Sequence, residues 1–113
     1  MNAPAFQFIS EDWFTPHTWG LNYKEPPKSS GVYLVVHPVV SYKPRKIDWQ
    51  ILYIGSSKNL HERYEGHEVI RLLGEVYGYV RFYFKEEQHY RAVEKKLIGL
   101  IQPRFNRQWR GQS

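Results

Sequence analysis

Three segments of the chain carry the apolar patterns that predict β-strands. Residues 32–36 (VYLVV) are continuously apolar, and we expect this strand to end at Pro38, because proline cannot donate to a sheet ladder. Residues 49–54 (WQILYI) predict a second strand. Residues 79–85 alternate between apolar and polar side chains, which predicts a third strand with one buried face.

Two helices are predicted from the remaining patterns. Asn59 is a suitable N-cap, and Glu62 three residues later completes a capping box, so we expect a helix that Gly66 weakens or ends. A second helix is predicted from about residue 88 to residue 101, before Pro103. The order β-β-α-β-α predicts an α+β fold with a small antiparallel or mixed sheet.

Residues 1–30 differ from the rest and predict an irregular N-terminal arm packed on the core. Prolines and aromatic residues are scattered through this stretch without a helical or strand period. We expect one short helix over residues 10–14, with Ser10 as its cap. Pro26 and Pro27 then end any regular element before the core begins at Gly31.

Composition narrows the class of protein. The 113 residues, 42% hydrophobic and 17% aromatic, suffice for one small core and exclude a disordered tail protein. The absence of cysteine excludes disulfides, zinc-thiolate sites and cysteine nucleophiles. Without an apolar run of ~18 residues or a charged signal-peptide start, the sequence predicts an intracellular protein with no membrane partner.

The net charge of +5 is concentrated at the C-terminal end. Residues 95–113 contain no acidic residue, so residues 1–94 are formally neutral. The basic residues of this tail are Lys95, Lys96, Arg104, Arg107 and Arg110. Such a segment predicts either a phosphate-binding surface or a solvated one.

Glu94 lies on the apolar face of the last predicted helix, on a wheel of about 100° per residue. Burying a carboxylate without a partner is costly, so we expect either a salt bridge to Arg63 or Arg81, or a metal ion. Asp12 and Asp48 are the only aspartates, too few for the carboxylate cluster of a two-metal nuclease. A single carboxylate is compatible with one Mg²⁺, which keeps much of its hydration shell.

Arg63 and His67 are four residues apart in the first predicted helix. If the helix continues past Gly66, both side chains share one face, and together they suit a phosphate that gains charge in a transition state. A solvated face is the simpler interpretation of this pair in isolation, because three glutamates alternate with it.

Taken together and in order, these fragments closely resemble the GIY-YIG nuclease domain. The matching residues are Gly31-Val32-Tyr33, Tyr53-Ile54-Gly55, Arg63 with His67, Glu94, and Pro103-Arg104-Phe105-Asn106. The resemblance covers roughly residues 31–106 and implies a small three-stranded, mostly antiparallel sheet flanked by helices. The family includes excision-repair nucleases, homing endonucleases and restriction enzymes, and it hydrolyses phosphodiester bonds with one divalent cation.

The resemblance implies a role for each matching residue. Glu94 would hold one Mg²⁺ or Mn²⁺ per site, Arg63 would stabilise charge on the phosphate, and His67 would orient the phosphate or a water molecule. Tyr33 would be the base for the attacking water, with Tyr53 close by, although the choice between the two tyrosines stays open. Because the pKa of free tyrosine is about 10, a nearby cation must lower it for this role.

Three further residues would support this site. Gly31 and Gly55 belong to the two tripeptides, and Asn106 would hold the last loop against the site. Some relatives have lysine directly after the second tripeptide, whereas here Ser56 stands at that position and Lys58 follows two positions later. Which cation lowers the tyrosine pKa therefore stays open.

The domain of residues 31–113 also departs from the family in its first hairpin, where residues 37–50 form an insertion. We expect basic residues of the insertion and of the later chain to contact DNA. They are Lys43, Arg45 and Lys46, together with Lys58, Arg104, Arg107 and Arg110.

The sequence therefore predicts a divalent-metal-dependent DNA endonuclease. Branched or damaged DNA stays open as the substrate, and so does RNA. Two alternatives remain at this point: a non-catalytic nucleic-acid-binding module on the same fold, and a subunit whose activity needs a protein partner. A symmetric double-strand cutter would need two active sites and hence a homodimer.

Overall fold

The computed structural model describes the backbone of residues 8–10, 20–21 and 26–108. The elements are β1 (Phe8–Ser10), β2 (Gly20–Leu21), β3 (Gly31–Tyr42), β4 (Arg45–Ser57), α1 (Leu60–Gly66), α2 (Glu68–Tyr77), β5 (Arg81–Glu86), α3 (Tyr90–Ile101) and α4 (Arg104–Gln108). None of the described helices is long and apolar enough to cross a membrane.

The sheet is built on three antiparallel strands, which confirms the predicted α+β fold. β3 lies in the centre and pairs with β4 on one side and β5 on the other. The short strands β1 and β2 extend opposite edges, so that the strand order is β1-β4-β3-β5-β2. The prediction of an irregular arm is therefore wrong at these two stretches. There, backbone N–H and carbonyl groups of the arm form hydrogen bonds with those of β4 and β5. Ser10 is the last residue of β1, and residues 11–14, over which the short helix is predicted, lie outside the described residues.

The first two core strands are longer than predicted and form one continuous hairpin. β3 runs through Pro38 to Tyr42, and Pro38 pairs with Trp49 of β4. The proline is accommodated because β3 pairs with β5 only as far as Val36, so that one of its edges is open beyond this point. The predicted insertion is therefore the distal half of the hairpin, in which β1 pairs with residues 48–50 of β4 and only residues 40–42 and 45–47 form a ribbon of two described strands.

Helices cover both faces of the central strands. On one face, α3 packs against a buried cluster that includes Val32, Leu34 and Tyr83. On the other face, side chains of α1, α2 and α4 pack around a cluster that includes Tyr33 and Phe82. Tyr83 is therefore buried although it belongs to the predicted polar face of its strand, because α3 covers that face.

The first predicted helix is divided in two. Asn59 caps α1 as expected, since its side-chain Oδ1 accepts from the backbone N–H of Glu62 at 3.2 Å. The helix ends at Gly66, and His67 has an extended backbone and caps α2. Arg63 and His67 therefore do not share a helix face, and their proximity arises from the turn between two helices.

Candidate active site

A cleft of about 940 Å³ opens where the sheet, α1 and α3 meet. Its lining contains Tyr33 of β3, Tyr53 of β4, Arg63 of α1, Glu94 of α3 and Asn106 of α4. The fold thus brings to one place five side chains that are far apart in the sequence and that the resemblance assigns to a single site.

Gly55 lies opposite Tyr33 across the β3–β4 pair and makes room for the tyrosine ring. A Cβ on Gly55 would lie 2.2 Å from both Oη and Cζ of Tyr33, closer than atoms can approach. A Cβ on Gly31 would lie 2.3 Å from the carbonyl oxygen of Lys85. Each glycine is thus required because other atoms occupy the space of its side chain.

The hydroxyl oxygen of Tyr33 accepts hydrogen bonds from two neighbours. The Nδ1 of His67 accepts from the backbone N–H of Val69 at 3.1 Å, so the proton of the neutral ring is on Nε2. That Nε2–H donates to Tyr33 Oη at 2.5 Å. The Nε–H of Arg63 reaches the same oxygen at 3.4 Å. Both neighbours act as donors, so the Tyr33 proton is left for a third partner.

The surroundings of Tyr33 and His67 shift the pKa values of these two groups in opposite directions. Burial raises the pKa of Tyr33 well above its ordinary value, and the hydrogen bond from Arg63 opposes this shift. Burial and the charge of Arg63 lower the pKa of His67 to about 4. His67 is therefore neutral at pH 7, and Arg63 is the cation that contacts Tyr33.

His67 positions the tyrosines and lies away from the substrate side of the cleft. Its side chain is only 5% exposed, and it does not line the cleft. The ring packs edge-on against Tyr33 and Tyr53, at centroid distances of 5.2 and 5.6 Å. This position does not support the expected role of orienting a phosphate, because the ring nitrogens already bind Tyr33 and the backbone of Val69.

Glu94 faces the cleft from α3, as the helical wheel predicts. Its Oε1 accepts a short hydrogen bond from the hydroxyl of Ser56, which directly follows Gly55. Neither expected salt bridge is present: Arg63 bonds to Tyr33, and the Arg81 guanidinium lies 4.5 Å from the centre of the Trp49 ring. No ion pair joins Glu94 to another of the described residues, so its charge is turned to the cleft.

Sequence reasoning did not identify Ser56 as a partner of Glu94. The two residues come together only when α3 packs beside the end of β4. The one available signal was the position of Ser56 immediately after the Tyr53-Ile54-Gly55 tripeptide, at the edge of the predicted site.

The cleft is basic. Four cationic side chains and one carboxylate are among its described lining residues, which gives a net charge of +3. The cations are Lys58, Arg63, Arg91 and Lys95. Arg91 was missed, and Lys95 was considered only as part of the basic C-terminal segment, because the wheel places both outside the apolar face. Both prove to lie at the rim of the cleft. Such a lining attracts phosphate groups.

The other predicted DNA-contacting residues whose side chains the structure describes lie outside the cleft. Arg104 is exposed, with its guanidinium 5.4 Å from the centre of the Phe105 ring. The side chain of Arg107 and the whole of Arg110 fall outside the described residues. The three basic residues of the insertion, Lys43, Arg45 and Lys46, lie at or next to the hairpin turn, about 30 Å from Tyr33 at a strand rise of ~3.4 Å per residue.

Asn106 fixes α4 against the edge of β4. Its Oδ1 accepts from the backbone N–H of Ile54, and its Nδ2 donates to the backbone carbonyl of Ile54, both at 2.6 Å. Both groups of the amide thereby bond to the backbone of Ile54, so Asn106 holds the cleft wall in place, as the resemblance implies.

The residues of the cleft fit a single Mg²⁺ or Mn²⁺. Glu94 is the one carboxylate among the described lining residues, and the described part of the chain contains no group of three or more His, Cys, Asp or Glu side chains. Mg²⁺ is bound by one or two carboxylates with water and substrate phosphates as the remaining ligands. The Ser56 hydrogen bond occupies one carboxylate oxygen and orients the group.

No protein-family model, curated protein or solved structure matches the chain.

Proposed function

We propose that the protein is a divalent-metal-dependent endonuclease that hydrolyses phosphodiester bonds in DNA. The observation that carries this proposal is the convergence of Tyr33, Arg63 and Glu94 on one basic cleft. A base, a cation for the phosphate and a metal-binding carboxylate are the three parts that one-metal phosphodiester hydrolysis requires.

Tyr33 is the better candidate for the base of the two tyrosines. Its oxygen accepts from both His67 and Arg63, and two donors on one oxygen stabilise its deprotonated form. The base role still requires additional positive charge in the cleft, because burial keeps the pKa of Tyr33 high. In the reaction the deprotonated Tyr33 oxygen takes one proton from the water while the water oxygen bonds to phosphorus. The bond to the leaving deoxyribose oxygen then breaks, and that oxygen takes a proton from solvent water.

Arg63 and Glu94 each help to stabilise the negative charge of the substrate phosphate, Arg63 directly and Glu94 through a bound cation. The Arg63 guanidinium stabilises the negative charge that the phosphate gains, while its Nε–H holds Tyr33. Glu94 would bind the cation with its carboxylate, which Ser56 orients. A divalent cation held there by Glu94 would supply Lewis-acid stabilisation of the phosphate charge.

The first test is cleavage of supercoiled plasmid and of branched DNA by the purified chain, with Mg²⁺ and with EDTA. The proposal predicts nicking that requires the divalent ion, and the preferred substrate would begin to define specificity. A folded protein that binds DNA without cleaving it under Mg²⁺ or Mn²⁺ would refute the catalytic proposal. That result would favour a binding module or a subunit that needs a protein partner.

A further inference from the structure

The distal hairpin carries a surface that the active site does not use. Beyond the parts that pair with β5 and β1, residues 40–42 of β3 and 45–47 of β4 form a ribbon of two described strands that ends in the turn at Lys43 and Pro44. Val40 lies opposite Ile47, and Tyr42 lies opposite Arg45. Directly opposed residues, and residues two apart on a strand, share a face, so these four side chains form one face of the ribbon.

This ribbon face is apolar and basic at once, and it is exposed. Tyr42 is 78% exposed, Val40 44% and Ile47 42%. Arg45 and Lys43 are exposed beside them, and no ion pair joins either to another of the described residues. On the opposite face, Lys46 is paired with Asp48 at 3.4 Å. Among the described residues, the basic side chains of the ribbon that have no acidic partner therefore lie at the turn and on the apolar face.

We infer that the ribbon is a second DNA-contacting element, which binds the duplex about one helical turn from the bond that is cleaved. This inference rests on the proposed function. The distance from Tyr33 to the ribbon tip, about 30 Å at ~3.4 Å per strand residue, is close to the length of one turn of B-DNA. A two-stranded ribbon fits the major groove, where thymine methyl groups and sugars offer apolar contacts and phosphates attract the cations.

The chemistry of the ribbon favours duplex DNA over a protein partner as the ligand. Lys43 and Arg45 match the charge of two phosphates, and Tyr42 between the apolar side chains and the turn can contact a sugar or a base. A protein interface would be expected to have charged residues depleted from its centre. Here the positive charges are part of the ribbon surface and have no acidic partner among the described residues.

The test measures binding separately from cleavage. Two proteins that both carry Glu94→Gln are compared, one with the natural ribbon and one with Lys43→Ala/Arg45→Ala. Their DNA affinities are measured by fluorescence anisotropy over a range of salt concentrations. The probes are mixed-sequence duplexes of about 7 and about 24 base pairs, of which only the longer can span from the cleft to the ribbon tip.

We expect the ribbon variant to bind the longer duplex roughly tenfold more weakly. The negative slope of the log association constant against log salt should become less steep by about two, because two phosphate contacts are lost. On the short duplex the two proteins should differ little. A control, Lys28→Ala/Lys85→Ala, removes the same charge from exposed positions that belong neither to the cleft nor to the ribbon.

Two outcomes would overturn the inference. One is an unchanged affinity and salt slope on the longer duplex in a variant that circular dichroism shows to be folded. The other is an equal loss in the control variant, which would show that only net charge matters. Altered sedimentation with unchanged DNA affinity would assign the ribbon to a protein interface instead. Plasmid cleavage by the otherwise unaltered chain is scored separately, so the proposed function can survive the failure of this inference.

Discussion

Replacing Asn106 by alanine should destabilise the fold, because its amide hydrogen-bonds to the backbone at the edge of β4. β1 pairs with β4 only at residues 48–50, and Asn106 serves the backbone of Ile54 further along the same edge. The variant would leave one N–H and one carbonyl of Ile54 without their partners. Ile54 itself is fully buried, so water can replace these partners only if α4 moves away.

The cost follows from these two hydrogen bonds. An unsatisfied buried donor or acceptor costs about 1–3 kcal/mol, so the loss of both should lower the free energy of unfolding by about 2–6 kcal/mol. With a urea m-value of about 2 kcal/mol/M for a protein of this size, the unfolding midpoint should fall by about 1–3 M.

Urea denaturation followed by circular dichroism measures this change, and amide hydrogen exchange locates it. We expect the Ile54 amide to exchange much faster in Asn106→Ala. The exchange rates of amides in the centre of β3 should change only as much as the free energy of global unfolding does. Asn59→Ala is the matched control, because it removes one exposed hydrogen bond at the start of α1 and should cost about 1 kcal/mol. A loss below about 0.5 kcal/mol in Asn106→Ala would refute the proposed role of the amide.

Three further predictions follow from the site. The pKa of His67 is about 4 in the fold and ~6.5 in the unfolded chain, so protonation of His67 favours unfolding. The free energy of unfolding should therefore fall by about 2 kcal/mol between pH 7 and pH 5. In urea titrations at the two pH values, His67→Gln should remove this part of the pH dependence. Gly55→Ala should displace the Tyr33 ring, cost about 1–3 kcal/mol and abolish plasmid nicking, whereas Gly74→Ala, where a Cβ meets no atom within 4 Å, should not destabilise the protein. Ser56→Ala should weaken Mn²⁺ binding about tenfold in titrations followed by electron paramagnetic resonance, with Ser56→Thr retaining the affinity; equal affinities would contradict the proposed orientation of Glu94.

Local patterns predicted the elements that depend on local physics. The apolar strands, the Asn59 cap and the apolar side of α3 are each determined by residues close in sequence. The position of Glu94 on the apolar side of α3 could therefore be predicted from the sequence, and its side chain does line the cleft. The same patterns predicted the order of β3, β4, α1, β5 and α3, but not α2 and α4 as separate helices.

Features that depend on distant contacts were missed. The passage of β3 through Pro38 depends on where β5 stops pairing, and the strands of the N-terminal arm depend on open edges of the sheet. The role of His67 depends on the break at Gly66, which turns its ring toward Tyr33 and away from the helix face of Arg63. None of these partners can be identified from neighbouring residues.

The most direct test of the central claim is the Mg²⁺-dependent nicking rate of Glu94→Gln, measured beside Glu75→Gln. Both changes replace a carboxylate by an amide of the same shape, but Glu75 lies on α2 and does not line the cleft. We expect Glu75→Gln to nick plasmid like the unaltered protein, and Glu94→Gln to lose at least about a hundredfold while remaining folded. Nicking by folded Glu94→Gln at the unaltered rate would contradict the account.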